Sequence, residues 1–166
     1  MPPQALPLLK KKGLKNIYIC GQNLDIKEKE RREAKSLGLN ILSVVHPSAD
    51  VSPLARLGEG VFIGAHVAIG PEVEVGDFSQ VLSGATVAHH SRVGKFVTIA
   101  DGTHVGGNVT VGDSSQVGIG VNINKRIIIG RNAAIVSGAT VVDHVPDNTV
   151  CRLNSEFVPR KPTDNG

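Results

Sequence analysis

A six-residue repeat runs without interruption through the middle of the chain. Written in sixes from Val51, sixteen consecutive blocks open with Val, Ile or Leu, the last of them at Val141. The fifth residue of every block is small or branched, and the second is Gly in nine blocks. Two inward-facing positions per block, with a permissive backbone at the corner, are typical of a short strand followed by a turn.

Three such strands per coil form a triangular prism whose coils stack about 4.8 Å apart. The repeat therefore predicts an all-β chain that folds as a parallel β-helix. Aromatic residues make up only 3% of the sequence and Trp is absent, so ladders of Val and Ile must fill the prism. Because a coil contains three blocks of six, residues eighteen apart lie in one column on the surface.

The segments that flank the repeat have a different pattern. Residues 1–15 contain three prolines and a lysine cluster and are interpreted as a loose arm. Residues 16–45 are predicted to form strand, helix and strand, with Asn23 as the helix cap and Gly38 as its end. This βαβ unit is too short to bury its own faces, so it should pack against the β-helix predicted for 46–150. Residues 151–166 are interpreted as a C-terminal tail.

Two neighbouring surface columns carry the side chains with the most chemistry. The first contains Glu72, His90, Asn108, Arg126 and His144, and the second contains Pro71, His89, Gly107, Lys125 and Asp143. One coil separates Glu72 from His90, which corresponds to about 5 Å. Most outward polar side chains of a solenoid are merely solvated, so a function for these columns needs a further argument.

Three stretches of the sequence point to a function for these columns: His46-Pro47-Ser48-Ala49, Val87-Ala88-His89-His90, and the segment from Gly106 to Gly112. With them the chain resembles hexapeptide-repeat sugar acyltransferases, typified by sialic-acid O-acetyltransferases and UDP-4-amino-sugar N-acetyltransferases (NeuD/PglD type). The resemblance covers residues 16 to about 150. It implies a left-handed β-helix, with 16–45 as the last part of a Rossmann-like domain.

The resemblance also implies a function, which is transfer of an acyl group from acetyl-CoA to an amino or hydroxyl group of a sugar or nucleotide sugar. His89 falls on the family's general base, a task that suits a neutral imidazole. Gly107 and Asn108 fall on the turn whose backbone amides hold the pantetheine arm. The family's acyl-CoA groove lies between two prisms, so a homotrimer is expected, and no metal is.

Three departures from the family pattern bear on this expectation. His90 stands where the family usually has an acidic residue that orients the base, so we predict that Glu72 takes over, directly or through His90. The family's closing G-x-P-A-K segment is replaced by residues 152–156. The Gly-rich turn that cradles a sugar nucleotide is missing from 16–45, so that pocket is expected to be incomplete unless another chain supplies it.

Composition excludes several other classes of partner. The net charge of +3 comes from the ends and one helix face, without the basic stripe and interleaved aromatics that nucleic acid requires. No apolar run of eighteen residues and no signal-peptide core occur, so we expect neither membrane insertion nor export. Cys20 and Cys151 lie far apart, which favours structural thiols in a reduced, cytoplasmic setting.

Two alternatives stay open at the level of sequence. A γ-class carbonic anhydrase would need three His ligands for a metal, two of them at His-x4-His spacing, and the chain has no such pair. A catalytically degenerate β-helix that serves as a scaffold or binding protein fits the altered neighbour of His89 and the missing terminal segment. Acyl-CoA binding would separate a scaffold from an enzyme.

Overall fold

The computed structural model describes residues 5–21, 23–153 and 156–160. The N-terminal part contains helices α1 (Ala5–Lys11) and α2 (Leu24–Ser36) and the parallel strands β1 (Asn16–Ile17) and β2 (Asn40–Ile41). The Asn23 side chain accepts a hydrogen bond from the N–H of Ile26 at 3.0 Å, and Gly38 follows the helix with φ of 63°. The predicted βαβ unit, with both helix limits, is confirmed.

The first helix was not expected. The sequence predicted a loose arm over residues 1–15, but residues 5–11 are helical, and 1–4 lie outside the described residues. Leu6 is buried in a small core with Ile19, Ala34 and Leu39. The interpretation as a loose arm was therefore wrong for α1. A single buried leucine between prolines leaves no periodic pattern from which the helix could be predicted.

Three faces of parallel strands follow, and successive strands belong to successive faces. The first face contains β3 (Val44–Val45), β6 (Phe62–Ile63), β9 (Gln80–Val81), β12 (Thr98–Ile99), β15 (Gln116–Val117), β18 (Ala134–Ile135), β20 (Thr149–Cys151) and the antiparallel β21 (Phe157–Pro159). The second contains β4 (Asp50–Val51), β7 (Ala68–Ile69), β10 (Thr86–Val87), β13 (His104–Val105), β16 (Asn122–Ile123) and β19 (Thr140–Val141). The third contains β5 (Arg56–Leu57), β8 (Glu74–Val75), β11 (Arg92–Val93), β14 (Thr110–Val111) and β17 (Ile128–Ile129). This is the predicted left-handed parallel β-helix.

Strand pairing has the predicted eighteen-residue register along almost the whole prism, as in the pair Val87 and Val105. The prism begins at Val44, slightly before the predicted start at residue 46. The last coil is two residues shorter. Ile135 pairs with Cys151, and Ile129 pairs with Val145, each sixteen residues further along the chain. The second face keeps the eighteen-residue register as far as Val141, so only columns that reach the corner after Val141 or the strands beyond it are displaced.

The prism core consists of branched aliphatic residues, alanines and Cys151. Four polar inward positions are fully buried, namely Ser79, Ser91, Thr103 and Ser115. Each of their hydroxyls donates to a carbonyl fifteen residues further along. In the described part of the chain, every buried polar side-chain atom has a hydrogen-bond partner. The polar positions thus join consecutive coils.

The N-terminal unit packs on the corner between the third and first faces. Phe78 is 1% exposed and stacks on Phe96 with ring centroids 5.4 Å apart. Lys27 of α2 donates to the Phe78 carbonyl at 3.1 Å, and burial lowers the pKa of this lysine. Neither described helix has the length and apolar character needed to cross a membrane.

Candidate active site

The corner between the second and third faces carries the predicted column. Glu72, His90, Asn108 and Arg126 stack there, all with φ between 56° and 64°. Backbone hydrogen bonds join the coils, for example from the N–H of Asn108 to the carbonyl of His89 at 3.0 Å. We call this set, together with His89 and Gly107, the catalytic corner.

His144 does not belong to the catalytic corner, although the sequence placed it in the same column. Its Nδ1 accepts a hydrogen bond from the N–H of Ile128 at 3.0 Å, two residues away from the expected position over Arg126. The shortened corner between Val141 and Val145 causes this displacement.

The side chains of the catalytic corner form a chain of polar contacts. The Nδ1 atoms of His89 and His90 lie 3.1 Å apart, and Nε2 of His90 lies 3.2 Å from Oε2 of Glu72. The two rings are nearly perpendicular, at 85°. The route from Glu72 to His89 therefore runs through the His90 ring, which was one of the two arrangements predicted.

Proton positions follow from this chain. The carboxylate of Glu72 accepts a hydrogen bond from Nε2–H of His90. In a neutral His90 the other nitrogen, Nδ1, then carries no proton and is an acceptor. In the contact between the two rings, His90 Nδ1 therefore accepts a hydrogen bond from Nδ1–H of His89. Both tautomers are assigned from the hydrogen-bond network. Nε2 of His89 is left with a free lone pair, and it has no hydrogen-bond partner within the described residues.

Gly107 creates the space that the His89 ring occupies. A Cβ atom at position 107 would lie 2.7 Å from both Cε1 and Nε2 of His89. Any other residue would push the imidazole away from its position. Gly107 thus lies against the proposed base, one coil further along, in addition to the cofactor contact that the resemblance implies for it.

The hydrogen-bond donors of Gly107 and Asn108 differ in whether they have a partner within the protein. The N–H of Asn108 is engaged with the His89 carbonyl. The N–H of Gly107 and the side-chain amide of Asn108 have no hydrogen-bond partner in the part of the chain that the structure describes. Asn108 is exposed, whereas Gly107 is buried against the His89 ring, so the amide of Asn108 is the more accessible of the two donors.

Ser91 holds the two halves of the corner together. Its hydroxyl donates to the Gly106 carbonyl at 2.9 Å and accepts from the N–H of Val109 at 3.1 Å. The segment with Gly107 and Asn108 is therefore tied to the segment with His89. Sequence reasoning counted Ser91 only as a small inward residue, and a hydroxyl at a core position was the signal that it missed.

A cavity of about 450 Å³ lies beside the corner. Glu72, His90 and Asn108 line one side. Leu54 of the same corner also lines it, and the third face lines the other side with Arg56, Glu74, Arg92 and Thr110. The sequence analysis did not single out Arg56, Glu74 and Arg92, although their spacing of eighteen places them in one outward column.

The remaining histidines lie away from this corner. His104 on the second face contacts the Thr86 hydroxyl through Nδ1 at 2.9 Å, and His66 lies at the corner between the first and second faces. Within the described ranges, no three His, Cys, Asp or Glu side chains are grouped closely enough to hold a metal ion.

Comparison with known proteins reveals the family. Residues 40–150 match the family model of the GMPPB C-terminal domain, so the chain belongs to that family. A variant of GDP-perosamine N-acetyl transferase from Caulobacter crescentus, solved with CoA and GDP-perosamine, is 30% identical with a TM-score of 0.89. That alignment covers 94% of this chain and 75% of the other. The chain is a hexapeptide-repeat acyltransferase of the NeuD/PglD type.

Two further structures are similar to this acyltransferase. The acetyltransferase domain of PglB from Neisseria gonorrhoeae FA1090, in complex with acetyl coenzyme A, is 28% identical with a TM-score of 0.81, over 87% of this chain and 70% of that domain. WeeI from Acinetobacter baumannii AYE is 25% identical with a TM-score of 0.82, over 88% and 72%. No curated protein sequence matches. The predicted family and enzyme class are confirmed, and they disfavour the scaffold and carbonic anhydrase alternatives.

Proposed function

We propose that this acyltransferase moves an acetyl group from acetyl-CoA to the amino group of a nucleotide-linked sugar, with His89 as the general base. The observation that carries the proposal is the chain of contacts from Glu72 through His90 to His89, which leaves Nε2 of His89 free. The relatives solved with CoA or acetyl coenzyme A, one of them also with GDP-perosamine, support the reactants.

The reaction needs one proton to move twice. The acceptor nitrogen attacks the thioester carbonyl carbon, and Nε2 of His89 takes the proton that this nitrogen loses. The carbon–sulfur bond then breaks, and the resulting imidazolium returns the proton to the CoA thiolate. Glu72 stabilises the positive charge between these steps, because His90 transmits its hydrogen bond to His89.

The thioester oxygen becomes negative during the attack and needs a donor. The candidates at the corner are the side-chain amide of the exposed Asn108 and the unpaired N–H of the buried Gly107, and a preorganised donor stabilises such an oxyanion strongly. The backbone N–H of Asn108 is excluded from this role because it binds the His89 carbonyl.

The assembly and setting of the enzyme form part of the proposal. We infer a homotrimer, in which the acetyl-CoA groove lies between neighbouring prisms, and we assign residues 16–45 as the remaining part of a Rossmann-like unit. A cytoplasmic location is consistent with Cys20 and Cys151, which are both free thiols.

Replacing His89 tests the proposal directly. Wild type and His89→Ala are incubated with acetyl-CoA and a panel of UDP- and GDP-linked amino sugars, and the acetylated product is measured by mass spectrometry. We expect a loss of about 10²- to 10⁴-fold in kcat. Acetyl-CoA affinity, measured by calorimetry, should change little.

The matched control is His104→Ala, which removes an exposed imidazole from the second face and should keep wild-type turnover. Equal turnover in His89→Ala and wild type would reject His89 as the base. A wild-type protein that binds no acetyl-CoA would reject the acetyl transfer itself.

A further inference from the structure

The third face presents an unusual outward column beside the catalytic corner. Arg56, Glu74 and Arg92 follow one another at eighteen-residue spacing on β5, β8 and β11. Nη1 of Arg56 lies 3.4 Å from one oxygen of Glu74, and Nε of Arg92 lies 3.7 Å from the other. We call these three residues the arginine column.

The contacts in the arginine column are long and leave most donors unused. Charge-assisted hydrogen bonds between a guanidinium and a carboxylate are usually about 2.7–2.9 Å. One carboxylate here serves two guanidinium groups, each of which has five N–H donors. The Arg56 and Arg92 side chains are 83% and 72% exposed, so these donors face solvent. The column therefore has spare capacity for an anion.

We propose that Arg56 and Arg92 form a subsite for the phosphate groups of a nucleotide substrate. Arginine recognises phosphate with two parallel hydrogen bonds, which makes it the residue suited to a diphosphate. A second cavity of about 640 Å³ continues from the column along the third face and brings in the cations Lys95 and Arg131. Its lining contains four cationic side chains, those of Arg56, Arg92, Lys95 and Arg131, and the carboxylates of Glu74 and Asp113. Lys95 also pairs with Asp77 at 2.9 Å, but cations outnumber carboxylates in the lining that a diphosphate at the column would meet.

The position of the column fits the proposed acetyl transfer, on which this inference rests. Arg92 follows His90 by two residues, so the two Cα atoms are at most about 7 Å apart. The same cavity has Glu72 in its wall, and a carboxylate accepts a hydrogen bond from an amine. A sugar with an amine near Glu72 and a diphosphate at Arg56 and Arg92 matches this arrangement.

Glu74 gives the proposal a test with two opposite signs. Arg56→Gln combined with Arg92→Gln removes the phosphate ligands, so we expect the affinity for UDP and GDP to fall about tenfold or more. Glu74→Gln removes the anion that competes with phosphate for the same guanidinium groups, so the affinity should rise several-fold. A general disturbance of the fold would lower it in both variants.

Calorimetry with UDP, GDP and CoA in separate titrations measures these changes, because CoA also carries a nucleoside diphosphate. A loss confined to UDP and GDP assigns the subsite to the acceptor, and a loss confined to CoA assigns it to the donor. Arg32→Gln, which removes an exposed arginine of α2, is the matched control and should bind all three like wild type.

Unchanged affinity for all three ligands in the double arginine variant, with an unchanged melting temperature, would overturn the subsite. The outcome is distinguishable from a failure of the proposed function. His89→Ala should lower acetyl transfer and leave the affinity for UDP and GDP intact, whereas the arginine variants should lose affinity whether or not the protein transfers acetyl groups.

Discussion

At the scale of single residues, the catalytic corner occupies strained backbone. Its Glu72, His90 and Arg126 have positive φ, whereas the equivalent position at the corner between the first and second faces is Gly in four coils, at Gly84, Gly102, Gly120 and Gly138. A side chain in the left-handed region costs roughly 1–2 kcal/mol. Strain of this kind persists where the side chain has a task, which agrees with the contacts of Glu72 and His90.

Replacing the relay through His90 by a direct carboxylate tests how Glu72 acts. In wild type, Glu72→Gln removes the charge at the end of the chain, so we expect kcat to fall about tenfold with little change in KM. In His90→Asp, the new carboxylate accepts directly from His89 Nδ1–H, and Asp tolerates positive φ. Glu72→Gln should then cause no further loss.

The four rates of this double-mutant cycle give the coupling between positions 72 and 90. An equal loss from Glu72→Gln in both backgrounds would contradict the relay and indicate that Glu72 acts on substrate or on stability alone. Thermal unfolding of each variant shows whether a loss of turnover reflects a loss of folded protein.

Part of this site could be predicted from the sequence and part could not. The eighteen-residue column placed Glu72 beneath His90 because the hexads contain no insertion before the last coil. The choice of route through the His90 ring depends on side-chain rotamers, which the repeat does not determine. The space that Gly107 leaves for His89 could not be predicted, because glycine recurs at corner positions of the repeat whichever side chain packs against it.

At the scale of elements, corners are held together by side chains that cap the neighbouring coil. Asp77, Asp113 and Asp147 accept the backbone N–H of Glu59, Lys95 and Arg131 at the corner between the third and first faces. Each carboxylate satisfies a donor that no strand partner reaches. These contacts fix the height of one coil above the next.

Asp77 predicts how the stability of this corner depends on pH. Partial burial alone raises the pKa of its carboxyl, but hydrogen bonds from Lys95 and the Glu59 N–H outweigh burial and lower the pKa. A carboxyl with a lower pKa in the folded state adds stability at pH above about 3.9, and loses it as pH falls through the folded value.

Asp77→Asn should therefore be less stable than wild type at pH 7, by less than about 1 kcal/mol because the ion pair is partly exposed. Chemical unfolding at pH 7, 5 and 3 should show this difference shrinking at the lowest pH. Asp101→Asn, an exposed aspartate whose side chain has no hydrogen bond within the described residues, should show no such trend. A constant difference for Asp77→Asn would contradict the assignment.

The last coil shows why the repeat did not determine every element. Val141 and Val145 are four residues apart, the normal spacing of the two inward positions in a hexad, and both are buried. The corner between Val141 and Val145 is two residues shorter than the corresponding corner of the preceding coil. Val145 still faces inward, but it pairs with Ile129. The apolar pattern is thus the same in both registers, and only the backbone distinguishes them.

At the scale of the whole molecule, the proposed homotrimer would complete a binding site of which one prism provides a part. Nearly all strands of its faces are two residues long, and only β20 and β21 have three, so each face of a single chain is narrow. Leu54 lines the cavity beside His90 and is still 62% exposed, which leaves an apolar wall open to solvent. A second prism packed against this corner would close the cavity around the acyl donor.

The proposed homotrimer therefore predicts both mass and stability in solution. Light scattering should give three times the chain mass of 17.4 kDa, and the melting temperature should rise with protein concentration because association stabilises the folded chains. Acetyl-CoA bound between prisms should raise the melting temperature further and keep the trimer together on dilution. A single-chain mass at concentrations where turnover per chain is undiminished would show that one prism forms the complete site, and the cavity beside His90 would then be closed by substrate alone.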